Sequence, residues 1–364
     1  MARLCACPFG CAAGAPPPSF LNHDSAIAVT VAVLATVKRG AEMGFRAFGG
    51  RAFKLVACVG LAVALLAAGE ADAKSRKKKP APIPAYATSV AWGAVTGPSL
   101  GAAKSIGGYA AGCIAGARAL PPEGVGYQVI RLSRQRNYGH PVLVDMLRDF
   151  GQRVALSGLG TALIGDMGQA RGGPMPSGHA SHQIGLDADV WLRLDLPPMG
   201  RAGRERLDEV KYVDYDRMRV TEDWSDRQAK MIQIAASDAR VTRIFVNPAI
   251  KLAMCQRSWA DRSFLNKLRP WHGHDGHMHI RLGCPAGSPQ CEQQDAQPEG
   301  DGCGDELMSW LDSAAPAIEH PPGYKPEPRV VRKMPAACAP VLNAAGTRMA
   351  SLADSAAVQT KAAR

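Results

Sequence analysis

Six of the nine histidines in this 364-residue chain lie in two short windows. The first runs His179-Ala180-Ser181-His182 and continues to Asp187-Ala188-Asp189. The second is His272-Gly273-His274-Asp275-Gly276-His277-Met278-His279. Imidazole and carboxylate are ligands a catalytic zinc favours, and such a site takes about three of them while keeping a position open for water. The two windows are about ninety residues apart. Only a fold that brings them together can turn them into one metal site.

Within the first window, His182 and Asp189 can converge on an ion if a strand at Asp187–Val190 is entered through a turn at Gly185. Asp187 and Asp189 alternate to the same side of such a strand, so spacing does not choose between them. His179-x-x-His182 lacks the glutamate of the helical HExxH pattern, and Pro174, Pro176 and Gly178 argue against a helix there. In the second window, Met278–Leu282 alternates with period two, which puts His277 and His279 on one side of a strand. One of them suffices as a ligand; the other is then free to act as a base or to stabilise developing charge. His274 is a candidate for the same wall, whereas His272 reads as a surface residue and Trp271 as a packing residue. No Gly-x-Ser-x-Gly elbow accompanies these groups, and Gly158-Leu159-Gly160 lacks the rest of a dinucleotide fingerprint. Aromatic residues make up 6%, too few to interleave with basic side chains as a nucleic-acid module requires.

The elements that must position these groups can be read from local pattern. Apolar Leu143, Met146, Leu147 and Phe150 recur at helical spacing and predict a helix over Pro141–Leu156. A second helix is expected over 224–239, opened by Ser225. Strands are expected at 127–132, 161–165, 184–194 and 241–246, the last ended by Asn247-Pro248. With 38 glycines and 27 prolines, a loop-rich fold is favoured over a helical bundle.

The amino terminus reads as a targeting segment. From Met43, three positive charges precede an uncharged apolar run, Leu55 to Ala68, and then the small-x-small motif Ala71-Asp72-Ala73. That order is a secretory signal, and the run is short for a membrane span. The expected organisation is therefore an upstream extension over 1–42, a signal peptide over 43–73 and a basic, proline-bearing linker over 74–98. A single folded domain over 99–312 and a Pro/Ala-rich tail over 313–364 follow. Leu55-Val56-Ala57-Cys58 resembles a lipoprotein box, but Lys54 abuts it. Five of the charges in the net +11 sit in Lys74–Lys79, which suits an anionic envelope polymer as well as a solvated tail. Six cysteines remain after residue 73: Cys113, Cys255, Cys284, Cys291, Cys303 and Cys338. An even set in an exported chain favours disulfides, with the pairing left open by sequence.

The motif Ser181-His182-Gln183-Ile184-Gly185-Leu186-Asp187-Ala188-Asp189, together with His277-Met278-His279, resembles the His-x-x-Gly-x-x-x-Asp and His-x-His pair of the lysostaphin-type and D-alanyl-D-alanine metallopeptidases. More closely, the chain resembles the penicillin-insensitive murein endopeptidases. Ser105-Ile106-Gly107, Gly112–Gly116, Gly165-Asp166-Met167, Gly178–His182, Arg243–Pro248 and Arg269-Pro270-Trp271 carry the likeness, which runs from about Gly97 to Trp310. The resemblance implies an α+β zinc metallopeptidase domain around an antiparallel sheet. It implies that His182, Asp189 and His279 hold the zinc, with His179 counted beside them, and that His277 and His274 handle proton transfer or the oxyanion. It implies disulfides Cys113–Cys338, Cys255–Cys303 and Cys284–Cys291. The substrate would be cross-linked peptidoglycan, cut between D-alanine and meso-diaminopimelate in the periplasm, with insensitivity to β-lactams. No nucleic acid and no stable membrane insertion after signal removal are expected, and a homodimer is left open. The segment 201–219 offers carboxylates but no histidine, which puts a second metal site in doubt. A non-catalytic wall-binding module of the same fold and a zinc D,D-carboxypeptidase are the competing readings.

Overall fold

The computed structural model describes residues 83–313, 328–331 and 333–345. The expected extension and signal segment, and residues 74–82 of the linker, lie outside them, as does most of the expected tail. Numbered along the chain, the strands are β1 (Lys104–Gly108), β2 (Ala111–Ala115), β3 (Arg118–Ala119), β4 (Glu123–Gly124), β5 (Tyr127–Val129), β6 (Tyr138–Gly139) and β7 (Ala162–Ile164). They continue as β8 (Asp187–Trp191), β9 (Val213–Asp214), β10 (Arg219–Val220), β11 (Val241–Val246), β12 (Leu268–Pro270) and β13 (His277–Leu282). The helices are α1 (Ser89–Gly93), α2 (Pro141–Leu156), α3 (Arg201–Glu205), α4 (Asp226–Ala236), α5 (Pro248–Gln256), α6 (Asp305–Ser313) and α7 (Cys338–Asn343).

A seven-stranded sheet in the order β12-β11-β13-β8-β7-β5-β4 organises the domain. Its centre, β11-β13-β8-β7, is antiparallel as expected, but β11 pairs β12 and β5 pairs β7 in parallel. The reason is connectivity. Parallel neighbours need a crossover, usually helical, and α2 lies between β5 and β7 while α5 lies between β11 and β12. The fold is α+β, with a sheet that becomes mixed towards its edges.

Helix α2 begins with Pro141, whose fixed φ suits a first helical position, after His140, whose side chain accepts from the Val142 N–H. It buries Leu143, Met146, Leu147, Phe150 and Val154 on one stripe. Helix α4 is opened by a reciprocal cap: Ser225 Oγ accepts from the Arg227 N–H, and the Gln228 side chain accepts from the Ser225 N–H. The Asn247-Pro248 that was expected only to end a strand also starts α5, with Asn247 as its cap and Pro248 in the first turn. These helices cover the core with the apolar sides of β8, β11 and β13.

The folded unit begins before the expected boundary at 99. Trp92 is 1% exposed and packs with Ala87, Ile106, Cys113, Met334, Cys338 and Val341. The proline-bearing run suggested an extended linker up to residue 98, but the buried indole, of order 2–3 kcal/mol, acts together with backbone bonds from Ser89 to Arg329 and from Val331 to Ala87 to hold this segment. Arg171 joins both ends, donating to the carbonyls of Gly97, Val341, Leu342 and Ala344. Disulfides link Cys113–Cys338, Cys255–Cys303 and Cys284–Cys291, the pairs that the resemblance implies. Among the described residues no helix is long and apolar enough to cross a membrane.

Candidate metal centre and cleft

Strand β13 sorts its side chains by alternation. Met278, Ile280 and Leu282 enter the core, and His277, His279 and Arg281 face the other way. Register then builds rows across three strands. Asp189 of β8 stands opposite His279, and His279 opposite Phe245 of β11. One step along, Asp187 stands opposite Arg281, and Arg281 opposite Arg243; on the other side, Trp191 stands opposite His277. His179 and His182 reach this surface from the loop before β8.

Four imidazoles surround the Asp189 carboxylate. His182 Nε2 and His279 Nδ1 lie 3.4 Å and 3.7 Å from Oδ1, and His179 Nδ1 and His277 Nε2 lie 3.3 Å and 3.9 Å from Oδ2. Each ring is held by its other nitrogen. His182 Nδ1 is 2.6 Å from Met167 O, His279 Nε2 is 3.0 Å from Asp187 Oδ1, His179 Nε2 is 3.1 Å from Asp166 Oδ2, and His277 Nδ1 is 2.5 Å from Glu209 Oε1. Such outer acceptors fix each ring and, in a neutral imidazole, leave the lone pair on the inner nitrogen.

The donor set fits a metal ion on an observation of the site itself. His182 Nε2 and Asp189 Oδ1 are both buried and neither has a hydrogen-bond partner. Two lone-pair atoms facing each other in a dry site are costly unless a cation lies between them. Two candidate triads share this pair. His179, His182 and Asp189 offer ligand atoms all within 4.8 Å of one another, while His279 presents Nδ1 to the same Oδ1 that His182 faces.

The electrostatics favour a positive charge, whether proton or metal ion, beside Asp189. Burial raises the Asp189 carboxyl, but His179, His182 and His277 outweigh it and hold its pKa well below the ordinary range. Burial lowers His182, yet Asp189 and Asp187 bring it above the usual imidazole value. His279 is pushed down to about 4, chiefly by burial and despite Asp187, so at neutral pH it is a ready ligand.

Asp187, the alternative ligand by spacing, has a different role. It is fully buried and accepts from the His182 N–H, His279 Nε2 and Arg281 Nε. His182 sits at φ 66°, a strained value for a non-glycine residue, and its bonds to Asp187 and Met167 hold it there.

His277 gains its partner through a neighbouring loop. Asp275 accepts from Lys211 Nζ at 2.7 Å and from the Tyr215 hydroxyl at 3.0 Å, and its carbonyl accepts from the Tyr212 N–H, which docks the 208–215 segment on the second histidine window. Gly276 is required there, because a Cβ would come 2.5 Å from Glu209 Cγ and 2.6 Å from Val210 O. Burial lowers His277, but Asp189 and Glu209 outweigh it and raise its pKa. His274 lies with its ring 5.1 Å from that of His277 and donates from Nδ1 to His272 O. Lost hydration, with His277 and His279 nearby, pushes it down to about 3.

A cleft of about 550 Å3 opens on one side, walled by Tyr109, Phe245, Trp271, His274, Arg243 and Arg281. A hollow of about 160 Å3 on the other side is lined by His277, Glu209, Asp166, Arg131 and Arg134, and His179 borders both. Trp271, read from sequence as a packing residue, is 49% exposed at the cleft mouth against Phe245 and Trp310. His272 is exposed beside it and contributes nothing to the carboxylate cage. Sequence reasoning missed Glu209 and the anchoring role of Asp166, since neither belongs to a spaced motif with the histidines.

The family model for penicillin-insensitive murein endopeptidases matches residues 105–343. Similar curated proteins, each named penicillin-insensitive murein endopeptidase, include one from Haemophilus influenzae at 47% identity over 253 residues, covering 68% of this chain and 85% of that relative. One from Klebsiella pneumoniae is 44% identical over 253 residues, covering 69% and 90%, and one from Yersinia enterocolitica is 43% identical over 256 residues with the same coverage.

Proposed function

The chain belongs to the penicillin-insensitive murein endopeptidase family, and from that membership we propose that it is a periplasmic zinc D,D-endopeptidase that hydrolyses D-alanyl-meso-diaminopimelate cross-links in peptidoglycan. The observation that carries this reading is the opposed, unpartnered pair His182 Nε2 and Asp189 Oδ1, buried beside His179 and His279, which line an open cleft. His182, Asp189 and His279 would hold the zinc, because both imidazoles face the same carboxylate oxygen. His179, which faces the other oxygen and is anchored on Asp166, would border the ion. When bound there, zinc supplies a Lewis acid for the scissile carbonyl and activates water at neutral pH.

The chain's own groups would move the protons. His274 spends its Nδ1 proton on the His272 carbonyl, leaving Nε2 as an acceptor. His277 is bonded through Nδ1 to the Glu209 carboxylate, which favours the imidazolium and makes Nε2 a donor to developing negative charge or to the leaving amine. No acyl-enzyme is needed, so β-lactams have no nucleophile to trap. Hollows on both sides of the cage leave room for peptide on either side of the cut, which favours an endopeptidase over a carboxypeptidase. The presence of His274, His277 and Glu209 beside the metal cage favours turnover over a binding module. The signal segment over 43–73 and the disulfides support export, with a folded domain from about Ala85 to Ser313 and a C-terminal segment tied back through Cys338.

The test is the chain purified from Lys74 onward and incubated with cross-linked muropeptide dimers, with and without a chelator. Monomer release that the chelator stops and zinc restores is expected. Zinc-loaded protein that releases no monomers would remove the reading.

A further inference from the structure

The row beside the metal row ends in a cation that has no ion-pair partner among the described residues. Its other members balance each other: Arg281 Nε lies 2.6 Å from Asp187 Oδ1, and its guanidinium lies over the rings of Tyr109 and Phe245 at 4.2 Å and 4.9 Å. Arg243, opposite Arg281, donates to the backbone carbonyl of Asp295. Among the described residues no carboxylate lies within 4.0 Å of its guanidinium in an ion pair. The charged groups around it are Arg281 beside it, Arg269 (already paired with Glu306), and Asp295 and Glu292 towards the rim. A half-buried guanidinium facing an aromatic-walled cleft without an acid partner is placed to receive an anion from outside the chain.

Register gives its distance from the chemistry. Arg243 is two residues along β11 from Phe245, which stands opposite His279. Two residues of strand span about 7 Å, which an arginine side chain bridges. Arg243 and His279 line the same cleft, so a group bound at Arg243 lies within reach of a scissile bond placed over Asp189 and His279. This inference rests on the endopeptidase reading above, and it names what that reading leaves open. In a cross-link through meso-diaminopimelate, the carbon bonded to the released nitrogen also carries a free carboxylate.

We propose that Arg243 binds this carboxylate on the leaving-group side, making the enzyme selective for cross-links whose amine-donating residue is a free acid rather than an amide. The planar guanidinium can take both carboxylate oxygens, and it would set the direction in which the cross-link lies across the site. The aromatic walls Tyr109, Phe245 and Trp271 would exclude water from the pair and strengthen it.

The experiment compares kcat/KM for two muropeptide dimers, one with the diaminopimelate carboxylate free and one with it amidated, using wild type, Arg243→Gln and Arg243→Lys. Wild type is expected to cut the amidated dimer about 10- to 100-fold less well, the size of a lost charge-assisted hydrogen bond. Arg243→Gln should show that loss on the free acid and little further loss on amidation, with zinc content unchanged. Arg243→Lys should recover part of the difference. Wild type that cuts both dimers equally, or Arg243→Gln that keeps the full discrimination, overturns the proposal. The wild-type comparison stands even if a variant fails to fold. Failure of wild type to cut either dimer would instead remove the endopeptidase reading, and this inference with it.

Discussion

His182 Nδ1 stands 2.6 Å from the carbonyl oxygen of Met167, so the only nitrogen that His182 can offer without a proton is Nε2, which faces Asp189. A backbone carbonyl thus selects the tautomer of a buried imidazole. His182→Ala is expected to lose both stoichiometric zinc and activity, beyond the roughly 10- to 100-fold typical of outer-shell changes. Metal analysis of the purified variant checks this, and retained stoichiometric zinc would overturn the ligand assignment.

Asp187→Asn removes a charge that His279, Arg281 and the His182 N–H all share. Zinc affinity should fall about 10- to 100-fold. Leaving Arg281 without its buried partner should also cost about 3–5 kcal/mol of stability. Thermal denaturation and zinc titration measure the two effects separately, and a variant that melts with wild type would contradict the second.

Glu209→Gln keeps the side-chain shape against Gly276 but withdraws the carboxylate from His277 Nδ1. The expected result is a fall in kcat of about 10- to 100-fold with zinc content unchanged, since general acid–base catalysis by one group is worth about that or more. A loss confined to KM would show that Glu209 positions substrate instead.

Away from the site, Asp238 sets an acid limit on stability. Burial raises its pKa, but Arg240 and Arg153 outweigh this and hold it at about 2, against an ordinary 3.8. A folded carboxyl that binds protons less readily than the unfolded one contributes stability that is complete above the unfolded value. The contribution shrinks as pH falls through 3.8 and is gone below about 2. Asp238→Asn should therefore lose about 2 kcal/mol at neutral pH and converge with wild type near the acid limit. Denaturant unfolding across that range tests it, and a gap that persists at the acid end would assign the loss to packing.

Local pattern made much of the scaffold legible. The apolar stripe of α2 and the run of β11 give their bounds, because both are single elements whose own periodicity decides where they lie. Alternation in β13 also gave the shared side of His277 and His279. The choice of Asp189 over Asp187 was not available from spacing, since both face the same way. Cross-strand register places His279 opposite Asp189 and Arg281 opposite Asp187, and that pairing separates the two carboxylates. Glu209 and Asp166 were hidden for a related reason. They reach the imidazoles from other parts of the chain, one on a loop docked through Asp275 and one after β7, and a position fixed only by tertiary contact leaves no local signature.

The alternation in β13 has a consequence for variation. The strand's odd positions carry His277, His279 and Arg281, while its even positions carry Met278, Ile280 and Leu282. Inserting or deleting one residue would turn imidazoles into the apolar interior and methyl-bearing chains into the cleft at the same time. Loss of function and loss of folding are thus a single event along this strand. The loop before it is held as closely, by Asp275 and Gly276 against the 208–215 segment, so β13 and its approach can vary only by substitution.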